Sequence, residues 1–304
     1  LGTLWRMAER TGITHFGTSP KFLAACSKSE LVPENVADLS NFRSLLSTGS
    51  PLISEQFDWV YENVHSDIQV ASISGGTDII GCFLAGSPIL PVHRGELQCA
   101  QLGMDVQSWD PDGKPVFGQS GELVCTQPFP SMPIGFWNDA DGSKYQEAYF
   151  DDFERVWTHG DYIEMTANGG AIIYGRSDTT LNPGGVRIGT AEIYRAVENM
   201  EQIIDAVVVG RPNEGDVDVV LCVKLTKGTD FDEKLESDIR GLIRSATTPR
   251  HVPKYIFEVD DIPYTISGKK VEKAVLETIT GRKVGNKDVL ANPESLKQYS
   301  ALSF

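Results

Sequence analysis

Residues 74–78 (SGGTD) combine two glycines with a hydroxyl and a carboxylate at the end of an apolar run. Glycine lets a ligand approach the backbone closely, which makes Gly75 and Gly76 candidate contacts. A threonine beside an aspartate suits a phosphate and its Mg²⁺, so Thr77 and Asp78 are candidates for that chemistry. Taken alone, the segment is better explained as an ordinary strand-to-helix turn.

Two further segments carry carboxylate or cationic side chains. Asp161 ends the β-like run that contains residues 159–161 (HGD), where its carboxylate could accept hydrogen bonds from ribose hydroxyls. Residues 175–189 (GRSDTTLNPGGVRIG) hold four glycines, two arginines and one aspartate. Arginine is the preferred partner of phosphate oxygens. In isolation, a turn aspartate and a flexible hairpin explain these segments equally well.

Residues 263–270 (PYTISGKK) place Lys269 and Lys270 directly before a predicted helix. A lysine at a helix start faces the positive end of the helix dipole, so a nearby anion would compensate. A bound carboxylate or phosphate would serve. An exposed lysine pair is the commoner alternative.

The elements that position these residues change character along the chain. Residues 1–90 alternate helix-like and strand-like segments, which favours the edge of a parallel α/β sheet. The first helix is predicted to end at Gly12, and Ser54 is the predicted N-cap of a second helix. Residues 91–177 contain short apolar runs between turn pairs such as Asp112-Gly113, which predicts a hairpin-rich β region.

From about Asp178 the pattern returns to α/β, so residues 178–304 are predicted to form a compact small domain. Thr190 is the predicted N-cap of its first helix. Residues 203–210 and 219–225 read as buried strands, and residues 232–246 as an amphipathic helix. A short strand and a final helix follow.

Composition excludes several classes of protein. The 304 residues carry a formal net charge of −15, so the chain has no general attraction for nucleic acid or anionic lipid. The five cysteines are scattered and odd in number, which favours a reducing compartment and a cytoplasmic protein. No apolar run approaches 18 residues. The chain starts at Leu1, inside what reads as a helix, which predicts a fragment of a longer polypeptide.

The order and spacing of the segments are more specific than any one of them. They resemble the acyl-adenylate-forming enzymes, a superfamily of acyl-CoA synthetases, peptide-synthetase adenylation domains and luciferases. The resemblance covers all 304 residues and is carried by GTAEIY, SGGTDI, FWND, THGDY, GRSDTTLNPGGVRIG, RHVP and PYTISGKK. It implies an α/β fold: the end of the large adenylating domain (a parallel α/β piece plus a β-rich subdomain), then a small mobile C-terminal α/β domain.

The resemblance also implies residue roles. Residues 49–51 (Gly49, Ser50 and Pro51) would lie against adenine, and Thr77 would touch the α-phosphate. Asp78 would help to hold Mg²⁺, and Asp161 would hold the ribose hydroxyls with Arg176 beside it. The remaining roles belong to the small domain: the hinge at Asp178, the pantetheine tunnel at Gly185, a phosphate contact at Arg187, and at Lys269 the bridge between substrate carboxylate and phosphate.

Within the superfamily the motifs are most similar to acid–CoA ligases that act on acetoacetate. This implies ATP, Mg²⁺ and CoA as cofactors, small-molecule substrates, and no nucleic-acid or membrane partner; a monomer is compatible with the sequence. Acetate-specific enzymes carry tryptophan where this chain has Gly75, which implies room for a longer acid. The family's phosphate loop does not occur in the sequence, so the chain alone is expected to be inactive.

Three alternatives stay open. The enzyme could ligate another short acid, or load a carrier protein instead of CoA. The chain could also be a non-catalytic nucleotide-binding module.

Overall fold

The computed structural model describes residues 1–266, 268–285 and 287–304. The chain divides into two compact units, Leu1–Ile173 and Tyr174–Phe304. Among the described residues, none of the helices combines the length and apolar character needed to cross a bilayer. The three-part division at residues 90 and 177, and the mobility of the last part, stay predictions.

The secondary structure mixes short helices with short strands. The α-helices are α1 Gly2–Thr11, α2 Pro20–Lys28, α3 Ser54–Asn63, α4 Ser143–Tyr149, α5 Thr190–Val197, α6 Glu233–Ala246, α7 Glu272–Ile279 and α8 Leu296–Tyr299. The strands of the first unit are β1 His15–Thr18, β2 Ser44–Ser47, β3 Gln69–Ser72, β4 Ser74–Gly76, β5 Gly81–Ala85, β6 Cys99–Ala100, β7 Val106–Trp109, β8 Pro115–Val116, β9 Ser120–Cys125 and β10 Trp157–Met165. They are followed by β11 Ala171–Arg176, β12 Ile203–Asn213, β13 Asp216–Leu225 and β14 Tyr255–Glu258.

The first unit begins with a parallel sheet of order β1-β2-β3, as the alternation of helices and strands predicts. Helix α1 is amphipathic and ends at Gly12, whose left-handed conformation stops the helix as expected. Its Trp5 is fully buried and stacks on Phe16 of β1, with ring centroids 4.8 Å apart. This aromatic contact fixes the helix on the sheet.

The rest of the first unit is rich in antiparallel β structure, as predicted. One sheet has the order β4-β5-β6, and a second has the order β11-β10-β9-β7-β8. Their shared core contains Phe83, Leu123, Trp157 and Ile163, all almost completely buried. The predicted turn at Asp112-Gly113 lies in the tight connection between β7 and β8, where the Asp110 amide donates to the Lys114 carbonyl.

The second unit is built on the sheet β12-β13-β14, in which β12 and β13 form a long antiparallel hairpin and β14 joins in parallel. Strand β12 is buried on both faces, as its nearly continuous apolar sequence predicts. Ala206 and Val208 belong to the core that contains the buried residues of α5 and α6. Val207 and Val209 belong to the opposite core, with Val275 of α7 and Tyr299 of α8.

Two predicted N-caps are wrong. Ser54 and Thr190 are the first helical residues, and the N-caps are Ile53 and Gly189. Helix α7 begins at Glu272, and the two lysines lie before it, as predicted. Lys270 forms a β-bridge with Tyr264, and helix α7 begins only after this β-bridge.

Candidate functional site

The segment with Gly49, Ser50 and Pro51 leaves the carboxyl edge of the parallel sheet. Strands β2 and β3 end side by side, and the Ile73 amide donates to the Ser47 carbonyl at 2.9 Å. Gly49 and Ser50 are exposed just beyond that edge. Ligands of open α/β sheets bind at this edge, beyond the carboxyl ends of the strands. The local fold therefore supports these residues as ligand contacts.

Strand β4 continues from the same edge and is closely packed at its glycines. A Cβ atom at Gly75 would lie 1.9 Å from the Gly81 carbonyl oxygen and 2.6 Å from the Cys82 Cα atom. A Cβ atom at Gly76 would lie 2.9 Å from Cε1 of His159. Close backbone packing thus requires glycine at residue 75 whatever ligand is bound, whereas a side chain at residue 76 would have to displace the His159 ring.

Thr77 and Asp78 form the exposed turn after β4. The Ile80 amide donates to the Thr77 carbonyl at 3.2 Å, which closes the turn. Asp78 accepts a hydrogen bond from the Tyr149 hydroxyl group at the end of α4. The hydroxyl of Thr77 and the carboxylate of Asp78 therefore stand on a short, closed turn within reach of solvent.

A bulge in β10 places Asp161 beside strand β4, which precedes this turn. The pairing of β10 with β9 shifts register between Thr158 and Tyr162. Gly160 takes a φ of 79° there, and its amide donates to Glu122 Oε1 at 2.8 Å. A bulge of this kind re-aims a side chain relative to the regular strand. Here it turns the Asp161 carboxylate towards β4.

The Asp161 carboxylate lies close to Ser74 and His159. The Ser74 hydroxyl donates to Asp161 Oδ2 at 3.4 Å, and His159 Nε2 lies 3.8 Å from the same oxygen. The Asp161 side chain is 13% exposed, and the His159 ring packs edge-on against Phe83 at 4.7 Å. The structure thus brings strand β4, which carries Gly75 and Gly76, next to Asp161 and His159, although these residues are more than 80 positions apart in the sequence.

The donor set fits a nucleotide with its metal ion. Among the described residues, no group of three His, Cys, Asp or Glu side chains could form a metal cage. Mg²⁺ is commonly held by one or two carboxylates together with substrate phosphates. A single carboxylate on an exposed turn, that of Asp78, matches that pattern, and the largely buried Asp161 carboxylate can accept hydroxyl donors.

The second unit carries the other predicted residues on three separate loops. The first is the 3₁₀ turn Ser177–Thr179, which contains Asp178. Arg176 Nε lies 3.6 Å from Asp178 Oδ1, and both side chains are 48% exposed. The Thr180 hydroxyl donates to the Arg176 carbonyl at 3.0 Å, which holds the turn closed. The predicted hinge residue is therefore solvent-accessible.

The second loop contains the turn Pro183–Gly185 and the exposed residue Arg187. The Gly184 amide donates to Asp216 Oδ1 at 2.7 Å, and Arg250 Nη1 donates to the Gly184 carbonyl at 3.2 Å. The amides of Gly184 and Val217 lower the pKa of the Asp216 carboxyl group. The loop is thus anchored on both sides. The surroundings of Gly185 lie outside the described part of the chain.

Helix α5 follows this loop and is fixed by Glu192. The Gly189 amide donates to Glu192 Oε1 at 2.9 Å, and His251 Nε2 lies 3.0 Å from Oε2. Burial acts to raise the pKa of Glu192, but the bonds from His251 and Gly189 outweigh it, and the pKa is lowered. The RHVP segment therefore holds the start of α5 through His251.

The third loop is the hairpin that carries Lys269. The Thr265 amide donates to the Lys269 carbonyl at 2.8 Å, and the Lys269 amide donates to the Thr265 hydroxyl at 3.0 Å. The Ile266 amide donates to the Val289 carbonyl at 2.9 Å, which attaches the C-terminal segment to the hairpin. Ser267 lies outside the described residues. The Lys269 side chain is exposed.

The carboxylates that compensate the lysine pair belong to the protein itself: Lys270 is 16% exposed and pairs with Glu198 and Asp205. Sequence reasoning named Lys270 but missed its burial and partners, and it also missed the contacts of Ser74 and Tyr149. Ser74 begins the SGGTD motif, so its hydroxyl was a recognisable signal. Nothing local in the sequence indicates the partners of Lys270 or Tyr149, because they lie 65 or more residues away along the chain.

Comparison with known proteins agrees with the predicted resemblance. Residues 192–269 match the family described as AMP-binding enzyme C-terminal domain. The acetoacetyl-coenzyme A synthetase of Rhizobium meliloti (strain 1021) is 54% identical over 97% of this chain and 45% of that protein. The acetoacetyl-CoA synthetase of Danio rerio is 47% identical over 98% of the chain and 45% of its own length.

A solved structure gives the same result. The acetoacetyl-CoA synthetase from Streptomyces lividans superposes with a TM-score of 0.91 at 44% identity, over 98% of this chain and 46% of that chain. The chain therefore shares the fold of that enzyme over the part that superposes, and its residues 192–269 match the C-terminal domain of the AMP-binding enzymes. Within that class its sequence is similar to acetoacetyl-CoA synthetases, and it spans less than half of their length.

Proposed function

We propose that the chain supplies part of an AMP-forming ligase that joins acetoacetate to CoA. The observation that carries the proposal is the 54% identity to an acetoacetyl-CoA synthetase over 97% of the chain. The local geometry supports it, because Ser74 of β4, the strand that leads into the turn with Thr77 and Asp78, donates to Asp161. That arrangement offers hydroxyl and carboxylate groups to a nucleotide.

The proposed reaction has two steps. The acetoacetate carboxylate attacks the α-phosphorus of ATP, forming a mixed anhydride and releasing pyrophosphate. The thiol of CoA then attacks the acyl carbon, and AMP leaves. Mg²⁺ would neutralise phosphate charge, with Asp78 as its protein ligand. Gly49, Ser50 and Pro51 would contact adenine, and Asp161 would accept bonds from the ribose hydroxyls with Arg176 beside it.

Lys269 is proposed to act in the first step. Two anions must meet there, the substrate carboxylate and the α-phosphate, and a placed ammonium group offsets their repulsion. Its exposure on a short hairpin supports this role. A rotation about Asp178 would then withdraw Lys269 and present Gly185 and Arg187 to CoA, so that one site serves both steps.

The choice of acid rests on the relatives more than on Gly75. A large side chain at residue 75 could narrow an acid pocket only if the neighbouring backbone left room for its Cβ atom. The contact of 1.9 Å between a Cβ atom and the Gly81 oxygen shows that β5 would first have to move. The absence of a side chain at residue 75 is compatible with a four-carbon keto acid but is also required by packing.

The substrate test uses the full-length polypeptide that contains this chain. ATP–pyrophosphate exchange is measured with acetoacetate, acetate, butyrate and 3-hydroxybutyrate, and acyl-CoA is detected directly. We expect the largest kcat/KM with acetoacetate and free acetoacetyl-CoA as product. A preference for another acid would contradict the proposed substrate. Exchange without acyl-CoA would point to a carrier protein as acceptor.

The residue test separates the two steps. Lys269→Ala is expected to lower adenylation by about 100-fold or more, since a positioned charge contributes on that scale. Thioester formation from synthetic acetoacetyl-adenylate should stay near the wild-type rate. An equal loss in both steps would remove the role assigned to Lys269.

The 304-residue chain without the rest of the polypeptide is proposed to lack adenylation activity, because its sequence has no phosphate loop of the family type. Calorimetry with ATP, AMP and CoA tests whether it still binds nucleotide. A cytoplasmic location is also proposed, and the free state of all five cysteines supports it. Detection of the protein in a secreted fraction would contradict it.

A further inference from the structure

Lys270 forms a buried cationic centre next to the exposed Lys269. Its Nζ atom lies 3.0 Å from Glu198 Oε1 and 3.1 Å from Asp205 Oδ1. The same atom lies 4.0 Å from the centroid of the Tyr194 ring, so a cation–π contact adds to the two ion pairs. The ammonium group of Lys270 is thus held by Tyr194 of helix α5, by Glu198 directly after that helix, and by Asp205 of strand β12.

The groups around Lys270 are themselves connected. The Tyr264 hydroxyl donates to Asp205 Oδ2 at 2.6 Å. The Tyr194 hydroxyl donates to Glu272 Oε1 at 2.7 Å and accepts from the Val208 amide at 3.1 Å. Glu272 of α7 is therefore connected to Tyr264 of the hairpin through Tyr194, Lys270 and Asp205.

The network reaches the turn that contains Asp178. The Thr179 hydroxyl lies 3.4 Å from Glu272 Oε2, and Thr179 is the last residue of that turn. A chain of side-chain contacts within the second unit therefore runs from the turn, through Glu272 and Tyr194, to Lys270. The proposed hinge and the lysine hairpin are attached to one buried cluster.

The charges in the cluster favour a protonated Lys270. Burial opposes its charged form, but Glu198 and Asp205 outweigh burial, and the pKa of Lys270 is raised. Burial raises the pKa of Glu272. Buried ion pairs of this kind are often no more stabilising than apolar residues of similar volume, so a gain in stability is a weak reason for their presence. Placing a neighbouring group is a better one.

The backbone geometry supplies the link to Lys269. Lys270 pairs with Tyr264 in an isolated β-bridge, so this part of the hairpin is extended. Successive side chains of an extended chain point to opposite sides. Lys270 is held inward by two carboxylates, and the neighbouring Lys269 side chain is exposed, as this alternation predicts.

We propose that Lys270 is a positioning residue that sets the direction of the Lys269 side chain and couples the hairpin to the turn at Asp178. This proposal rests on the proposed function, because it gives Lys270 a purpose in adenylation. On this view, rotation about Asp178 moves Lys269 with the second unit as one rigid piece. Any loosening of the cluster would misplace the ammonium group of Lys269 without removing it.

The test is a set of variants in the full-length polypeptide. Lys270→Arg keeps the charge. A triple variant, Lys270→Met with Glu198→Gln and Asp205→Asn, removes the cation and neutralises its two partners, so that no unpaired charge is left buried. Lys254→Met is the matched control, since Lys254 pairs with Asp218 at 2.9 Å in the same unit. Adenylation and thioester formation are measured separately for each.

We expect the triple variant to lose about 10- to 100-fold in adenylation, because a displacement of about 1 Å has effects of that size. Thioester formation from synthetic acetoacetyl-adenylate should change by less than about 3-fold, and Lys270→Arg should recover most of the adenylation rate. Equal losses in both steps, or a loss no larger than that of Lys254→Met, would overturn the role of Lys270. Absence of wild-type activity with every acid would instead refute the proposed function.

A second measurement does not depend on catalysis. Hydrogen exchange of the Gly268 and Lys269 amides, both bonded to Thr265, reports the order of the hairpin in the 304-residue chain. We expect exchange at least about 10-fold faster in the triple variant than in Lys254→Met. Unchanged exchange at these amides would overturn the positioning role even if the enzyme proved inactive.

Discussion

Gly75→Ala tests whether close packing of β4 on β5 requires glycine at this position. The added Cβ atom would lie 1.9 Å from the Gly81 carbonyl oxygen, and Cβ contacts below 3.0 Å are essentially never seen. Since the obstacle is backbone and not a flexible side chain, β5 must move by roughly 1 Å or more. Overpacking on this scale destabilises by about 1–3 kcal/mol. The gain from replacing glycine, about 0.4–1 kcal/mol, is at most equal to the smallest of these losses.

The assay is urea unfolding of the 304-residue chain followed by tryptophan fluorescence. All five tryptophans lie between residues 5 and 157, so the signal reports the first unit and not the second. Gly17→Ala is the matched control, because a Cβ atom at Gly17 in β1 has nothing within 4 Å. We expect a lower urea midpoint for Gly75→Ala and little change for Gly17→Ala.

The result that would refute the reasoning is a Gly75→Ala midpoint equal to that of Gly17→Ala, with an unchanged slope. Such a result would mean that β5 adjusts freely. A tryptophan at residue 75 could then alter acid selectivity without disturbing the fold. In that case, room for a longer acid would again be a sufficient reason for glycine at residue 75.

Three other outcomes are expected. Asp178→Pro should lock one domain arrangement and impair one half-reaction far more than the other, because proline fixes φ at a value that a 3₁₀ turn accepts. Asp178→Ala should not have this effect. Equal loss in both steps would remove the hinge assignment. Glu192→Gln should destabilise the chain by about 1 kcal/mol at pH 7. Because the folded pKa of Glu192 lies below 4.5, that difference should shrink in urea titrations as the pH falls below this value, and a constant difference would contradict the pairing with His251. Burial raises the pKa of Cys222 to about 12, so it should resist a thiol reagent at pH 8 until the chain is unfolded, and rapid native labelling would contradict its burial.

Local patterns predicted much of the fold. The end of α1 at Gly12, the parallel β1-β2-β3 piece and the buried strands β12 and β13 all follow from glycine position and apolar periodicity. The exact helix starts did not follow. A hydroxyl residue before a helix resembles an N-cap whether it lies at the cap or one residue inside, as Ser54 and Thr190 do.

The candidate site was predicted as a set of residues but not as an arrangement. The spacing of the motifs indicated the glycines and carboxylates, while the bulge that turns Asp161 towards Ser74 depends on Glu122, which pairs across the sheet. The two lysines of the hairpin look identical in sequence. Their different environments come from Glu198 and Asp205, and only the folded chain brings those residues to Lys270.

The long β12–β13 hairpin has a consequence for the order of folding. Its strands are joined by Glu214 and Gly215, which both take positive φ, so ten paired positions form between residues close in sequence. Contacts of such short range require little loop closure and can form within microseconds. Strand β14 can pair with β13 only after the connection through α6 has formed. The second unit therefore contains a local nucleus of its own and needs no contact with earlier residues to begin folding as it emerges during synthesis.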